Sequence, residues 1–115
     1  MLLSTVSLLA FQDVNCVAES YEKLEEPGIE QDDINVISSI LRAVEPCFVK
    51  HKETKGLLRC KELKIQRLLI QKNYRIAYQY LQVKPAGIQS YPKLEGEYYG
   101  QLMKSLEGLA QHEAA

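Results

Sequence analysis

Apolar side chains recur every three or four residues along most of the chain, which is the spacing of one face of an α-helix. The clearest stripe lies in residues 2–25 and has seven apolar members: Leu3, Val6, Ala10, Val14, Val17, Tyr21 and Leu24. Pro27 and Gly28 follow this stripe and stop helices, so a turn is predicted at residues 27–30. Because a long apolar seam can extend across a dimer axis, the stripe makes a homodimer one candidate assembly.

A second stripe follows Asp32 and Asp33, either of which can cap a helix through its carboxylate. Its apolar members are Ile34, Ile37, Leu41, Val44 and Phe48. Pro46 lacks a backbone donor and crowds the preceding turn, so we expect this helix to kink or end there. The polar residues 50–56 are predicted to form a turn.

A third stripe consists of Leu58, Ile65, Leu69, Ile76, Tyr80 and Val83. One long helix fits this spacing, and so do two helices separated by a turn at residues 71–73, because Asn73 is a good cap. Residues 71–81, QKNYRIAYQYL, resemble the turn and second helix of a tetratricopeptide-type hairpin. That resemblance implies a tyrosine and an alanine packed between helices.

The last stripe follows Pro92 and consists of Leu94, Tyr98, Leu102, Leu106 and Leu109. Gly96, Gly100 and Gly108 lie within it and lower helix stability by up to about 1 kcal/mol each. We therefore expect this helix to depend on packing.

Together the stripes predict an all-α fold, with residues 1–115 forming one helical domain like a four-helix bundle. Five to six helices are predicted if the breaks near Pro46 and Asn73 are real. A content of 46% apolar and 25% charged residues is typical of globular proteins. No apolar run reaches the roughly 18 to 20 residues that span a bilayer. No Lys or Arg precedes Lys23, whereas a signal peptide begins with a positively charged region. We expect a soluble, cytoplasmic protein without a membrane partner.

The three cysteines, Cys16, Cys47 and Cys60, cannot all pair within one chain and are expected to be reduced and mostly buried. Cys47 and His51 are four residues apart and could approach a zinc ligand set with another cysteine. Without a CxxC pair, and with His112 the other histidine, we predict no metal and no cofactor. The motifs GxGxxG, GxxxxGK[ST], HExxH and GxSxG are also missing, which favours a protein that is not an enzyme.

Charge is distributed unevenly although the formal net charge is only -1. Residues 1–41 sum to -7, residues 42–84 to +8 and residues 85–115 to -2. On a continuous helix, Lys61, Lys64, Lys72 and Arg75 would project from one side. Further basic residues prolong that predicted surface: Lys52, Lys55 and Arg59.

This basic surface fits three roles. It could neutralise the acidic first helix of the same bundle, bind an acidic protein, or bind nucleic acid through its phosphates. The amphipathic stripes and missing motifs favour a non-enzymatic protein-interaction module, acting as an adaptor, assembly factor or regulator. Nucleic-acid binding through residues 50–75 is the alternative.

The nucleic-acid hypothesis predicts binding that falls steeply with salt and is lost when Lys64→Glu and Arg75→Glu are combined. Fluorescence anisotropy with labelled RNA and DNA would measure both effects. Undetectable binding at low salt would contradict this hypothesis.

Overall fold

The computed structural model describes the backbone of residues 15–114, and it is all α-helical in that range, as the sequence predicts. Six α-helices and one 3-10 turn follow one another: α1 (15–23), α2 (Pro27–Glu30), α3 (Ile34–Lys50), α4 (Thr54–Ile70), α5 (Tyr74–Leu81), the 3-10 turn Ile88–Ser90 and α6 (Pro92–Ala114). The first part of the predicted first stripe, Leu3 to Val14, lies outside the described residues.

Three-residue turns connect α2 to α3, α3 to α4 and α4 to α5. The middle residues Asp32, Lys52 and Lys72 have positive φ angles of 57°, 52° and 61°. The residue after each one donates its backbone N–H to a carbonyl five residues earlier, for example from Glu53 to Phe48 at 3.0 Å. This is the Schellman arrangement, which closes a helix and reverses the chain at once.

One core cluster joins α1, α2, α3 and α4 around Phe48 and Leu63, neither of which has any exposed surface. The ring of Tyr21 in α1 lies 4.8 Å from that of Phe48, and its hydroxyl donates to Glu53 at 3.1 Å. Burial, followed by the negative charge of Glu53, raises the pKa of Tyr21 to about 12. These contacts hold α1 against the α3–α4 hairpin.

A second core cluster joins α4, α5 and α6 around Ile65, Ala77 and Tyr98. The Tyr98 hydroxyl donates to the carbonyl of Leu81 at the end of α5. Gln101 of α6 donates through Nε2 to the carbonyl of Glu62 in α4 at 2.9 Å. Because these bonds lie on one side of α6, they fix which face of this helix is left outside.

Several helix boundaries differ from the sequence predictions. Of the two alternatives predicted at Pro46, a kink or a helix end, the helix end is wrong, because α3 continues through this residue to Lys50. Pro46 is exposed, so its missing N–H leaves no unpaired carbonyl in the core. The break at residues 71–73 is real, and the predicted turn at 27–30 is instead the short helix α2 with Pro27 as its first residue. Asp33 caps α3 by accepting from the backbone of Asn35 at 3.0 Å.

The expectation of three reduced cysteines is wrong for two of them. Cys16 of α1 and Cys47 of α3 form a disulfide, with their Cα atoms 6.3 Å apart. The sequence could not show this pairing, because it depends on how α1 docks on α3. Cys60 is free and buried as expected, and burial raises the pKa of its thiol to about 11.

Thiol titration with Ellman's reagent checks this arrangement. The native chain should react very slowly, because Cys60 is buried and protonated at neutral pH. One thiol per chain should react in denaturant, and three after reduction in denaturant. Three reactive thiols without reductant would show that Cys16 and Cys47 are not paired.

Candidate functional site

The predicted basic residues do not lie on one continuous helix, and four of them form two groups at opposite ends of α4. Lys52 and Lys55 lie at the start of α4, whereas Lys72 and Arg75 lie beyond its end. The 17 residues of α4 separate the groups by about 25 Å at 1.5 Å per residue. The prediction of one continuous basic helix is therefore wrong, although a role of these residues in binding is untested.

The structure pairs two of the predicted basic residues with carboxylates. Lys64 forms an ion pair with Glu45 of α3, on the side of α4 that faces α3. Arg59 pairs with Glu62 of the same helix and lies 3.9 Å from Glu97 of α6. The charges of Arg59 and Lys64 are therefore partly neutralised, and on opposite sides of α4.

These ion pairs change the neutralisation hypothesis. The carboxylates that meet Arg59 and Lys64 come from α3, α4 and α6, not from the acidic first helix. Burial lowers the pKa of Arg59 despite the opposing effect of Glu97, because a guanidinium loses hydration inside the fold. Lys61 lies between Arg59 and Lys64 along α4 and is partly exposed.

The most distinctive exposed surface that we find is the outer face of α6. Side chains with large apolar surfaces stand in solvent there: Met103 is 60% exposed, Tyr99 48% and Leu106 45%. Gly96 and Ala110 are exposed at either end of the same row. We call the five residues Gly96, Tyr99, Met103, Leu106 and Ala110 the α6 seam.

The α6 seam has the spacing of a helix-packing surface. Its members follow one another at intervals of 3, 4, 3 and 4 residues. This is the heptad spacing of apolar positions that face a neighbouring helix in a coiled coil. On α6 these positions face away from α4 and α5, which contact the opposite side of the helix through Tyr98 and Gln101.

Lys84 holds the edge of the α6 seam in place. Its Nζ atom forms an ion pair with Glu95 at 2.7 Å and donates to the Tyr99 hydroxyl at 3.0 Å. The same atom lies 5.2 Å from the centre of the Tyr99 ring. These contacts, with Glu95 first, raise the pKa of Lys84 above its ordinary value and orient the Tyr99 ring.

The glycines of α6 differ in what surrounds them. A Cβ atom added at Gly108 would collide with the ring of Tyr74, so this glycine lets α5 and α6 approach closely. A Cβ atom at Gly96 or Gly100 would meet nothing within 4 Å. The fold therefore gives a packing reason for Gly108 and none for Gly96 or Gly100.

Sequence reasoning missed the α6 seam because it placed Leu106 on the buried stripe. From Leu94 to Leu106 that stripe advances in three steps of four residues, and each step rotates 40° past a full turn. Leu106 has thus turned about 120° away from the core, while Ser105 and Gly108 lie inside. The regular 3-4 spacing of the seam was the signal that could have found it.

Comparisons with protein-family models, curated proteins and solved structures find no match to this chain. Within residues that the structure describes, no helix combines the length and the apolar character needed to cross a membrane.

Replacing each α6 glycine by alanine should distinguish the open surroundings of Gly96 and Gly100 from the packed surroundings of Gly108. Gly96→Ala and Gly100→Ala should each stabilise the fold by up to about 1 kcal/mol, because alanine favours a helix and the space is open. Gly108→Ala should instead destabilise it by about 1 kcal/mol or more through its collision with Tyr74. Urea unfolding followed by circular dichroism measures all three. Equal stabilisation at Gly108 would contradict the described packing of α5 on α6.

Proposed function

We propose that this chain is a non-enzymatic protein-interaction module that binds an α-helix of its partner along the α6 seam. The observation that carries this proposal is the row of five exposed, regularly spaced small and apolar residues on α6. An adaptor, assembly factor or regulator would use such a surface to dock on another protein.

The physical support comes from the cost of leaving this face in water. Burying a large apolar side chain contributes roughly 1.5 to 3 kcal/mol, and the seam offers three such side chains that the fold leaves half exposed. A helix is the partner that fits, because heptad spacing presents knobs and holes to another helix. Tyr99, held by Lys84, is the kind of ordered aromatic residue that often dominates binding.

The described cysteines favour a role without catalysis. Cys16 and Cys47 are joined to each other, and neither is a free nucleophile in that state. Cys60 is buried with a raised pKa, so little reactive thiolate exists at neutral pH. A cytoplasmic location stays a prediction, and a disulfide is more typical of oxidising compartments.

Nucleic-acid binding by the basic residues is the weaker alternative. Carboxylates already meet Arg59 and Lys64, which reduces the positive charge that these two side chains offer to phosphates. Of the remaining predicted basic residues, Lys52 and Lys55 lie near the start of α4 and Lys72 and Arg75 lie beyond its end, with Lys61 in the middle of the helix. The seam, in contrast, is one continuous row on one helix.

Site-specific photocrosslinking in cells of the protein's own source tests the proposed function. A photoreactive phenylalanine derivative at Met103 should give a protein adduct of discrete mass after irradiation. The same residue at Val49 of α3 is the matched control, because Val49 is 59% exposed and Met103 60%. No adduct at position 103, or equal adducts at both positions, would contradict the proposed function.

A further inference from the structure

The α6 seam and its charged edge complement a second copy of themselves. We infer that the helix bound at the α6 seam is α6 of a second copy of this chain. The two helices run antiparallel and are related by a twofold axis that passes the seam at the level of residue 101. This inference names the partner for the proposed function and therefore rests on it.

The sizes of the seam residues match across a twofold axis. In a twofold interface, if one residue contacts another across the axis, the reciprocal contact is also made. A twofold axis at the level of residue 101 places Leu106 of one copy opposite Gly96 of the other. A large side chain therefore meets an open space, and the symmetry forms this contact twice. The same axis places Tyr99 opposite Met103, and aromatic rings pack favourably against thioether sulfur.

The charges beside the seam also match across this axis. Lys93 and Glu107 are exposed along one edge of the α6 seam. The same antiparallel register places Lys93 opposite Glu107 of the second copy, and Glu107 opposite Lys93 of the second copy. Opposite charges therefore face each other in one kind of pair, which forms twice.

A parallel arrangement of the two α6 helices has neither property. It would place the Lys93–Glu107 edges of the two helices on opposite sides of the interface, so these opposite charges could not pair. It would also place Gly96 against Gly96, which leaves a gap in the interface. A second copy in the antiparallel register thus satisfies size and charge together, and it gives Gly96 the packing reason that the isolated fold lacks.

Charge reversal tests the inference on the purified full-length chain. Sedimentation equilibrium over a range of concentrations should show a reversible dimer. Lys93→Glu and Glu107→Lys should each raise the dissociation constant about tenfold, because each turns two attractive pairs into repulsive ones. The two changes combined should restore it to within about threefold of the unmodified chain. Lys55→Glu on α4 is the control for net charge and should change it less than about twofold.

A second variant keeps the test independent of charge. Gly96→Gln fills the space assigned to Leu106 of the second copy, while an added Cβ meets nothing in the single chain. Its melting temperature at concentrations where the chain is monomeric should equal or exceed that of the unmodified chain, since glutamine favours a helix more than glycine does. Its dimer dissociation constant should nevertheless rise about tenfold or more.

A chain that stays monomeric at all concentrations would overturn the inference, as would a dimer insensitive to these changes or not restored by the combined reversal. The photocrosslinking result separates the two proposals. An adduct at position 103 with a different protein would sink the second copy as partner but leave the interaction module standing. No adduct there would remove the basis of both.

Discussion

Chain reversal within three residues is the constraint on which the rest of the structure depends. Lys52 and Lys72 adopt left-handed backbone conformations without being glycine, and each completes a Schellman turn. These tight turns make α3, α4 and α5 successive neighbours that contact one another along the chain. Since α4 begins and ends at such turns, it becomes the central helix that contacts both core clusters.

The position of α6 follows from that central helix. Gln101 and Tyr98 attach α6 to α4 and α5, and Gly108 allows Tyr74 to lie against its backbone. All three contacts use one side of α6, so a full row of small and apolar residues remains on the other. The same packing that stabilises the domain thus leaves an apolar face of α6 exposed.

The tertiary structure also changes how the uneven distribution of charge along the sequence is interpreted. In the sequence the basic middle third looks like one surface, but helix ends divide it and carboxylates from α3, α4 and α6 meet two of its members. The more exposed of these pairs, Lys64 with Glu45, contributes little to stability. On α6, the proposed dimer instead uses the opposite charges of Lys93 and Glu107 along one edge to favour one register of binding.

The sequence by itself determined the helical class, a capping aspartate at either position 32 or 33, and a turn at residues 71–73 as one of two alternatives. These features depend on local periodicity and on hydrogen bonds between near neighbours, which a chain segment carries with it. Only the tertiary structure decided that Cys16 meets Cys47, that Arg59 meets Glu97 and that Leu106 faces outward. Those outcomes depend on which helices become neighbours and how each is rotated, and residues far apart in the chain settle both.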